Sequence, residues 1–342
     1  MRSLPLRSTF GALIVSTVLL SCVRVGDGDE ERSDAQRVVR EQSAPHVAEA
    51  PVPAIELGEP VAKVPSEVTL LSAGDEPRAV LRLKPSPGAR EELSLRMAMV
   101  VAMQIGSHDV PARSIPSIEA KLAAVVVDEG KGGDELVRYR FETIEAKAGE
   151  ATTEVSARVQ DAVQRAVDDM QGTKGTIAVT DRGKLAELVL DTRPGADAGI
   201  QPAIEGFRQS FNQLFAWLPE DAVGPGATWR AVTHFEQNHI EIQQTAEYRL
   251  VSRDGDRVEL SFDLEQQAVE GSEARTALPG GALEVEMHSV KGSGRVVLDL
   301  AKVMPIEGTA KSAGATRSRV SFGGAPEPLL MQLEFDLALR SS

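Results

Sequence analysis

Two periods of apolar residues divide the chain. Leu93, Leu95, Met97, Met99, Val101, Met103 and Ile105 alternate with other residues over thirteen positions, and Ile118, Ala120, Leu122, Ala124 and Val126 do the same. Such alternation predicts antiparallel strands with one wet face. Val80 and Leu83 predict a short strand before them, and a Gly-rich turn at 130–133 leads to a strand through Val137, Tyr139 and Phe141. From 153 to 171 the period changes to that of a helix: Val155, Val159, Ala162, Val163, Ala166, Val167 and Met170 share one face, and Gly172 stands where a helix commonly closes. After that, strands are predicted through Ile177 and Leu188.

A second helical stripe runs over 200–218, through Ile200, Ile204, Phe207, Phe211, Leu214 and Leu218, stopped by Pro219. The chain then turns at Val223-Gly224-Pro225-Gly226 and delivers Trp229 into a new run of strands. These pass through Phe235, Ile242, Tyr248, Leu260, Phe262, Leu283, Val296 and Leu298, and end on Met331, Leu333, Phe335, Leu337 and Leu339. Arg253-Asp254-Gly255-Asp256 is a hairpin signal, because Asp-Gly accommodates positive φ. The fold class expected is β-dominated α+β, with large curved antiparallel sheets or a half-barrel packed around two amphipathic helices. Gly175–Asp181 is similar to Gly294–Asp299, so two similar β-rich halves flanking the helix at 200–218 are a further expectation.

The first residues have another character. Met1-Arg2-Ser3-Leu4-Pro5-Leu6-Arg7 precedes an apolar run from Phe10 to Leu20, the pattern of a secretory signal. The run ends at Leu19-Leu20-Ser21-Cys22, which resembles the lipobox of bacterial lipoproteins. The resemblance implies cleavage between Ser21 and Cys22 and lipid on Cys22, the single cysteine of the chain. Residues 1–21 are then the signal peptide. Residues 22–65, rich in Pro, Ala and charge, form a disordered tether, and 66–342 are the folded domain. Val23 after the cysteine, by analogy with the enteric sorting rule, suggests the outer membrane, with the domain facing the periplasm or the cell surface.

Charge limits the partners. Losing Arg2 and Arg7 moves the formal charge from −14 to −16, which disfavours nucleic acid and direct adsorption to an anionic bilayer. The membrane partner is therefore reached through the lipid on Cys22.

Chemistry is sparse. The five histidines, His46, His108, His234, His239 and His288, lack the spacing of a zinc site, although His234 and His239 could meet across a hairpin. No metal or other cofactor is expected. Gly292-Ser293-Gly294 is not a nucleophile elbow, and Gly224-Pro225-Gly226 is a rigid turn rather than a phosphate loop. Acidic pairs such as Glu91-Glu92 are expected to be solvated. The residues that mark an apolar ligand surface, or equally a core, are Met97, Met99, Met103, Phe207, Phe211 and Trp217, since flexible thioethers suit an adaptable surface.

In outline this architecture resembles lipoprotein-carrier and outer-membrane lipoprotein-receptor folds. The Pro219–Trp229 turn, Pro-x-x-x-Val-Gly-x-Gly-x-x-Trp, is similar to one carried by uncharacterised families of bacterial lipoproteins. The function expected is a membrane-anchored, non-enzymatic envelope lipoprotein acting as a binding or interaction module of unknown ligand, with a lipid or an envelope protein as candidate partner. A carrier of lipid or lipoprotein acyl chains is the alternative, and a hydrolase without a recognisable motif stands behind both.

Overall fold

The computed structural model describes residues 60–129, 134–147, 154–191, 215–237, 240–272, 274–278, 281–321 and 323–342. Among them are thirteen strands: β1 (Glu67–Ser72), β2 (Arg90–Ile105), β3 (His108–Glu129), β4 (Glu135–Lys147), β5 (Lys174–Val179), β6 (Leu185–Asp191), β7 (Thr228–Gln237), β8 (Ile240–Asp254), β9 (Arg257–Ala268), β10 (Ala274–Leu278), β11 (Gly281–Asp299), β12 (Glu307–Ser321) and β13 (Glu327–Ser341). One helix, α1 (Glu154–Met170), lies between β4 and β5.

The strands form one open antiparallel sheet in the order β1-β7-β8-β9-β11-β12-β13-β2-β3-β4-β5-β6, with β10 paired to β11. Two meanders, β2 to β6 and β7 to β13, are joined where the last strand pairs with β2, Phe335 facing Met99 and Leu333 facing Val101. The sheet cannot be flat. Ser72 ends β1, and eleven residues later the Leu83 N–H donates to the Asp181 carbonyl beside β5. Eleven extended residues reach about 40 Å. Ten flat strand spacings of about 4.8 Å would need about 48 Å. Leu218, hydrogen-bonded to Arg182, makes a similar demand ten residues before β7 begins. The sheet therefore curls, and its two edges approach each other at one end.

Local chemistry explains where it bends. Pro111 and Pro116 lie inside β3, which a proline would ordinarily interrupt. Both sit at register shifts, opposite the intervals Val101–Met103 and Met97–Met99 of β2. A bulge leaves a residue unpaired and bends its strand, so each proline occupies a place where no ladder donor is needed.

Two expected elements are corrected. Val80 and Leu83 do not form a strand: residues 73–89 are irregular apart from one bridge, Ala79 to Val223. Their backbone groups pair instead with turns, as Leu83 does with Asp181 and Lys84 with Leu300. Val80 is 48 % exposed while Leu81 and Leu83 are buried. The helix expected over 200–218 does not reach its predicted end. Phe215–Leu218 is non-helical: the Leu218 N–H donates to the Arg182 carbonyl and the Arg182 Nε–H donates back to the Leu218 carbonyl, each at 2.9 Å; residues 200–214, with Phe207 and Phe211, lie outside the described residues.

Helix α1 agrees closely with its period. Val163, Val167 and Met170 are buried against β4 and β3, and Gly172 takes φ +71° at the close. Gln171 then stands in for a strand neighbour, accepting from the Ile144 N–H and donating to the Glu142 carbonyl, each at 3.0 Å.

The segment entering the domain crosses the outer face. Val61 bridges Val269, Lys63 pairs with Glu241 at 2.5 Å, the Val64 N–H donates to Gln243 Oε1, and Ser66 meets His234 Nδ1 at 3.0 Å. This strap passes over β9, β8 and β7 before becoming β1.

Candidate functional site

The Val223–Trp229 turn is a crossing of two chains. Gly224 N–H donates to Ala73 O, Asp75 N–H to Pro225 O, and Val223 and Ala79 exchange a pair of bonds at 3.0 Å. A Cβ on Gly224 would stand 1.7 Å from Asp75 O, so only glycine allows the backbones to touch. Gly226 takes φ +79°, and its N–H donates to Leu250 O. Val223, Ala227 and Trp229 are completely buried. The Trp229 ring stacks on Tyr248 at 5.7 Å and 19°. Burial pushes the Tyr248 hydroxyl up to about 12, against a backbone hydrogen bond with Trp217. Arg82 holds the approach, donating to Pro219 O and Glu220 O and pairing with Asp181 at 3.2 Å. The turn is a structural joint between the two sheet edges.

A different region has the character of a binding surface. Read across the register, one face of seven adjacent strands carries no formal charge over the following spans, with Glu91, at the same parity of β2, just beyond them. It takes the odd positions from Trp229 to Phe235, Leu93 to Met103 and Leu329 to Leu339. It takes the even ones from Ile242 to Leu250, Leu260 to Ala268, His288 to Leu298 and Gly308 to Val320. Charged side chains of these spans fall on the opposite face, where Arg230–Glu247, Arg295–Glu259, Lys291–Glu265 and Lys311–Asp336 pair across strands. Near the crossing, the uncharged face is tightly covered: Trp229, Leu250, Leu260, Leu95 and Leu339 are buried. Towards its middle, Met97, Met99, Val290, Ser312, Leu333 and Phe335 are only half-buried.

Polar side chains also lie on this face, and two of their atoms, Thr233 Oγ1 and His288 Nε2, are buried there without a hydrogen-bond partner. His288 is 8 % exposed, its Nδ1 lies 3.0 Å from the Thr316 hydroxyl, and its Nε2 has no hydrogen-bond partner. Burial holds the ring neutral by lowering its pKa to about 4. Gln266, also buried, donates to Gln244 at 2.8 Å on the neighbouring strands.

The structure separates the residues that the sequence grouped together. Met97 and Met99 are half-buried on the uncharged face, facing Leu337 and Phe335, whereas Met103 is buried. Trp217 belongs to the crossing: its carbonyl accepts from Trp229 and Lys184 Nζ lies 4.8 Å from its ring centre. Phe207, Phe211, Ser21 and Cys22 lie outside the described residues, as do His46 and His239. His234 bonds Gln243 through Nε2 and Ser66 through Nδ1. Because Gln243 Oε1 only accepts, Nε2 carries the proton. Among the described residues, no three His, Cys, Asp or Glu side chains cluster as metal ligands would. Gly292 and Gly294 lie within β11, under Ser312 and Phe262.

Glu91 corrects the expectation of a solvated acid. It is 4 % exposed, and its two carboxylate oxygens accept the N–H groups of Val303 and Met304 at 3.0 and 2.8 Å. It closes the turn between β11 and β12 from within the core. Sequence reasoning also missed His288, whose signal was parity: it shares an alternating row with Val290, Val296 and Leu298. The sequence matches no protein-family model, and no curated protein is significantly similar to it.

Proposed function

We propose that this chain is a lipid-anchored cell-envelope protein, non-enzymatic, whose sheet binds an apolar ligand on its uncharged face. The observation that carries this reading is the half-buried patch of Met97, Met99, Val290, Leu333 and Phe335, on a face from which the register excludes charge. Met99 and Phe335 face each other across paired strands, so a flexible thioether and an aromatic ring bound one surface. Lipid or lipoprotein acyl chains fit such a surface. An envelope protein presenting an apolar segment is the second partner of this class.

The lipobox-like Leu19-Leu20-Ser21-Cys22 and the apolar run before it support attachment through acylated Cys22. Val23 supports placement in the outer membrane. The similarity of the Pro219–Trp229 turn to that of other envelope lipoproteins supports the same assignment. The finer architecture, a half-barrel in which the sheet curls about α1, belongs to this proposal as well.

Two experiments test it. Labelled palmitate should enter the wild type and not Cys22→Ala, and that variant should leave the membrane fraction; palmitate incorporation into the variant would refute the anchor. Native mass spectrometry of the Cys22→Ala chain should show co-purified lipid, reduced in Met99→Asp. A wild-type patch that retains no lipid and quenches no apolar probe would refute the ligand reading.

A further inference from the structure

We propose that the uncharged face is a site for an acyl ester, with His288 Nε2–H as the donor that anchors the ester carbonyl and the half-buried patch as the seat of the hydrocarbon chain. The inference rests on the apolar-ligand reading above and adds a head-group preference to it.

Three observations carry it. First, the face offers no cation: the charged residues of all seven spans sit on the opposite side. A free fatty carboxylate or a phosphate would be desolvated there without a counter-charge, and burying an unpaired ion is far more costly than burying a neutral ester. Second, His288 Nε2 is a buried polar atom with no partner on a face otherwise built of apolar residues, hydroxyls and amides. Native structures rarely leave such a group unmet, so an orphan next to a candidate site points to what the site takes. Third, the geometry around His288 suits a donor. The Thr316 hydroxyl lies 3.0 Å from Nδ1; we assign it as the donor to Nδ1, the tautomer that places the proton on Nε2. Burial keeps the ring neutral at physiological pH, so it acts by hydrogen bonding and not by charge.

The register places the anchor beside the patch. Thr316 faces Met331 on β13, and Met331 faces Met103 on β2. Two residues further along the strands, Gly314 faces Val290 and Leu333. Gly314 has no side chain, and Val290 leans over it; a Cβ there would stand 2.4 Å from Val290 Cγ2. A chain leaving the ester next to His288 would therefore pass Val290 and Leu333 to reach Phe335 and Met99.

The test uses the full chain carrying Cys22→Ala, so that no acyl group of its own competes, and two fluorescent probes, cis-parinaric acid and its methyl ester, at pH 7. The methyl ester should bind at least ten-fold more tightly than the acid. His288→Leu should lose that preference by weakening the ester about ten-fold and leaving the acid unchanged, and His288→Gln should restore part of it. Added methyl ester should also shift the 15Nε2 resonance of His288 in the wild-type ring, a readout that needs no variant to fold. Equal binding of ester and acid, or an unmoved 15Nε2 resonance on saturation with ester, would overturn the anchor while leaving the apolar site standing. If neither probe binds the wild type, the anchor and the apolar-ligand reading fall together.

Discussion

The indole N–H of Trp229 donates to the carbonyl of Trp217 at 2.6 Å, across the turn that separates them in sequence. Trp229 is completely buried against Tyr248, so the bond is shielded from water. Trp229→Phe keeps an aromatic ring but leaves a buried carbonyl unpaired and a void where the larger ring stood. We expect a loss of about 2–4 kcal/mol in urea denaturation. Trp229→Ala should exceed it and leave little folded protein.

The two glycines of the same turn should differ sharply. Gly224→Ala puts a methyl group into the Asp75 carbonyl and should abolish folding or cost more than about 4 kcal/mol. Gly226 faces open space and is constrained only by its positive φ, so Gly226→Ala should cost about 1–2 kcal/mol. Guanidinium midpoints of the two variants would show the ranking. Equal losses would mean that the backbone contact at Gly224 is wrong.

Glu91 should behave as a buried turn cap. Glu91→Ala leaves the Val303 and Met304 N–H groups unpaired at about 1–3 kcal/mol each. Glu91→Gln retains one acceptor and should lose roughly half as much. Amide exchange supplies the local check: the N–H groups of Val303 and Met304 should lose protection in Glu91→Ala, while that of Leu250, bonded to Ala227, should keep it once global stability is allowed for.

His288 should make the fold acid-sensitive above the carboxylate range. Its ring takes up a proton near pH 6.5 in the unfolded chain but only near 4 in the folded one. Between those values the unfolded state binds more protons, so stability falls as pH is lowered through that window, by up to ~3 kcal/mol. His288→Gln removes the group and should flatten the slope of stability between pH 6.5 and 5. A wild-type slope that survives the substitution would assign it to other groups.

The strands were legible because alternation is a local property with a fixed period. Leu93–Ile105 and Met331–Leu339 read correctly, and so did α1, whose Val163, Val167 and Met170 are buried on one face. Residues 73–89 misled because apolar residues such as Val80 and Leu83 look the same whether their backbone joins a ladder or pairs with distant turns, and Val80 is in fact exposed. Pro111 and Pro116 were visible, but a proline in an alternating run signals either a bulge or a strand end, and only the register of the partner strand decides. Glu91 was beyond sequence reasoning, since its partners lie more than two hundred residues away. The candidate surface was half legible. Met97 and Met99 follow from the pattern, but the exclusion of charge from seven strands needs every register at once.

The strap from Val61 to Ser66 has a mechanical consequence. A pull on the residues before Pro60 does not arrive first at the edge strand β1. It meets the Val61–Val269 pairing, beyond the end of β9, and the Lys63–Glu241 contact on β8. Tension applied straight to β1 would unzip it from β7 one hydrogen bond after another, the weakest way to load a sheet. Entering through the strap, the same tension is shared by contacts lying two and three strands inside the edge, and β1 peels only after they have let go. Lys63→Ala with Ser66→Ala should thus lower the force at which β1 detaches by a larger fraction than it lowers the equilibrium stability.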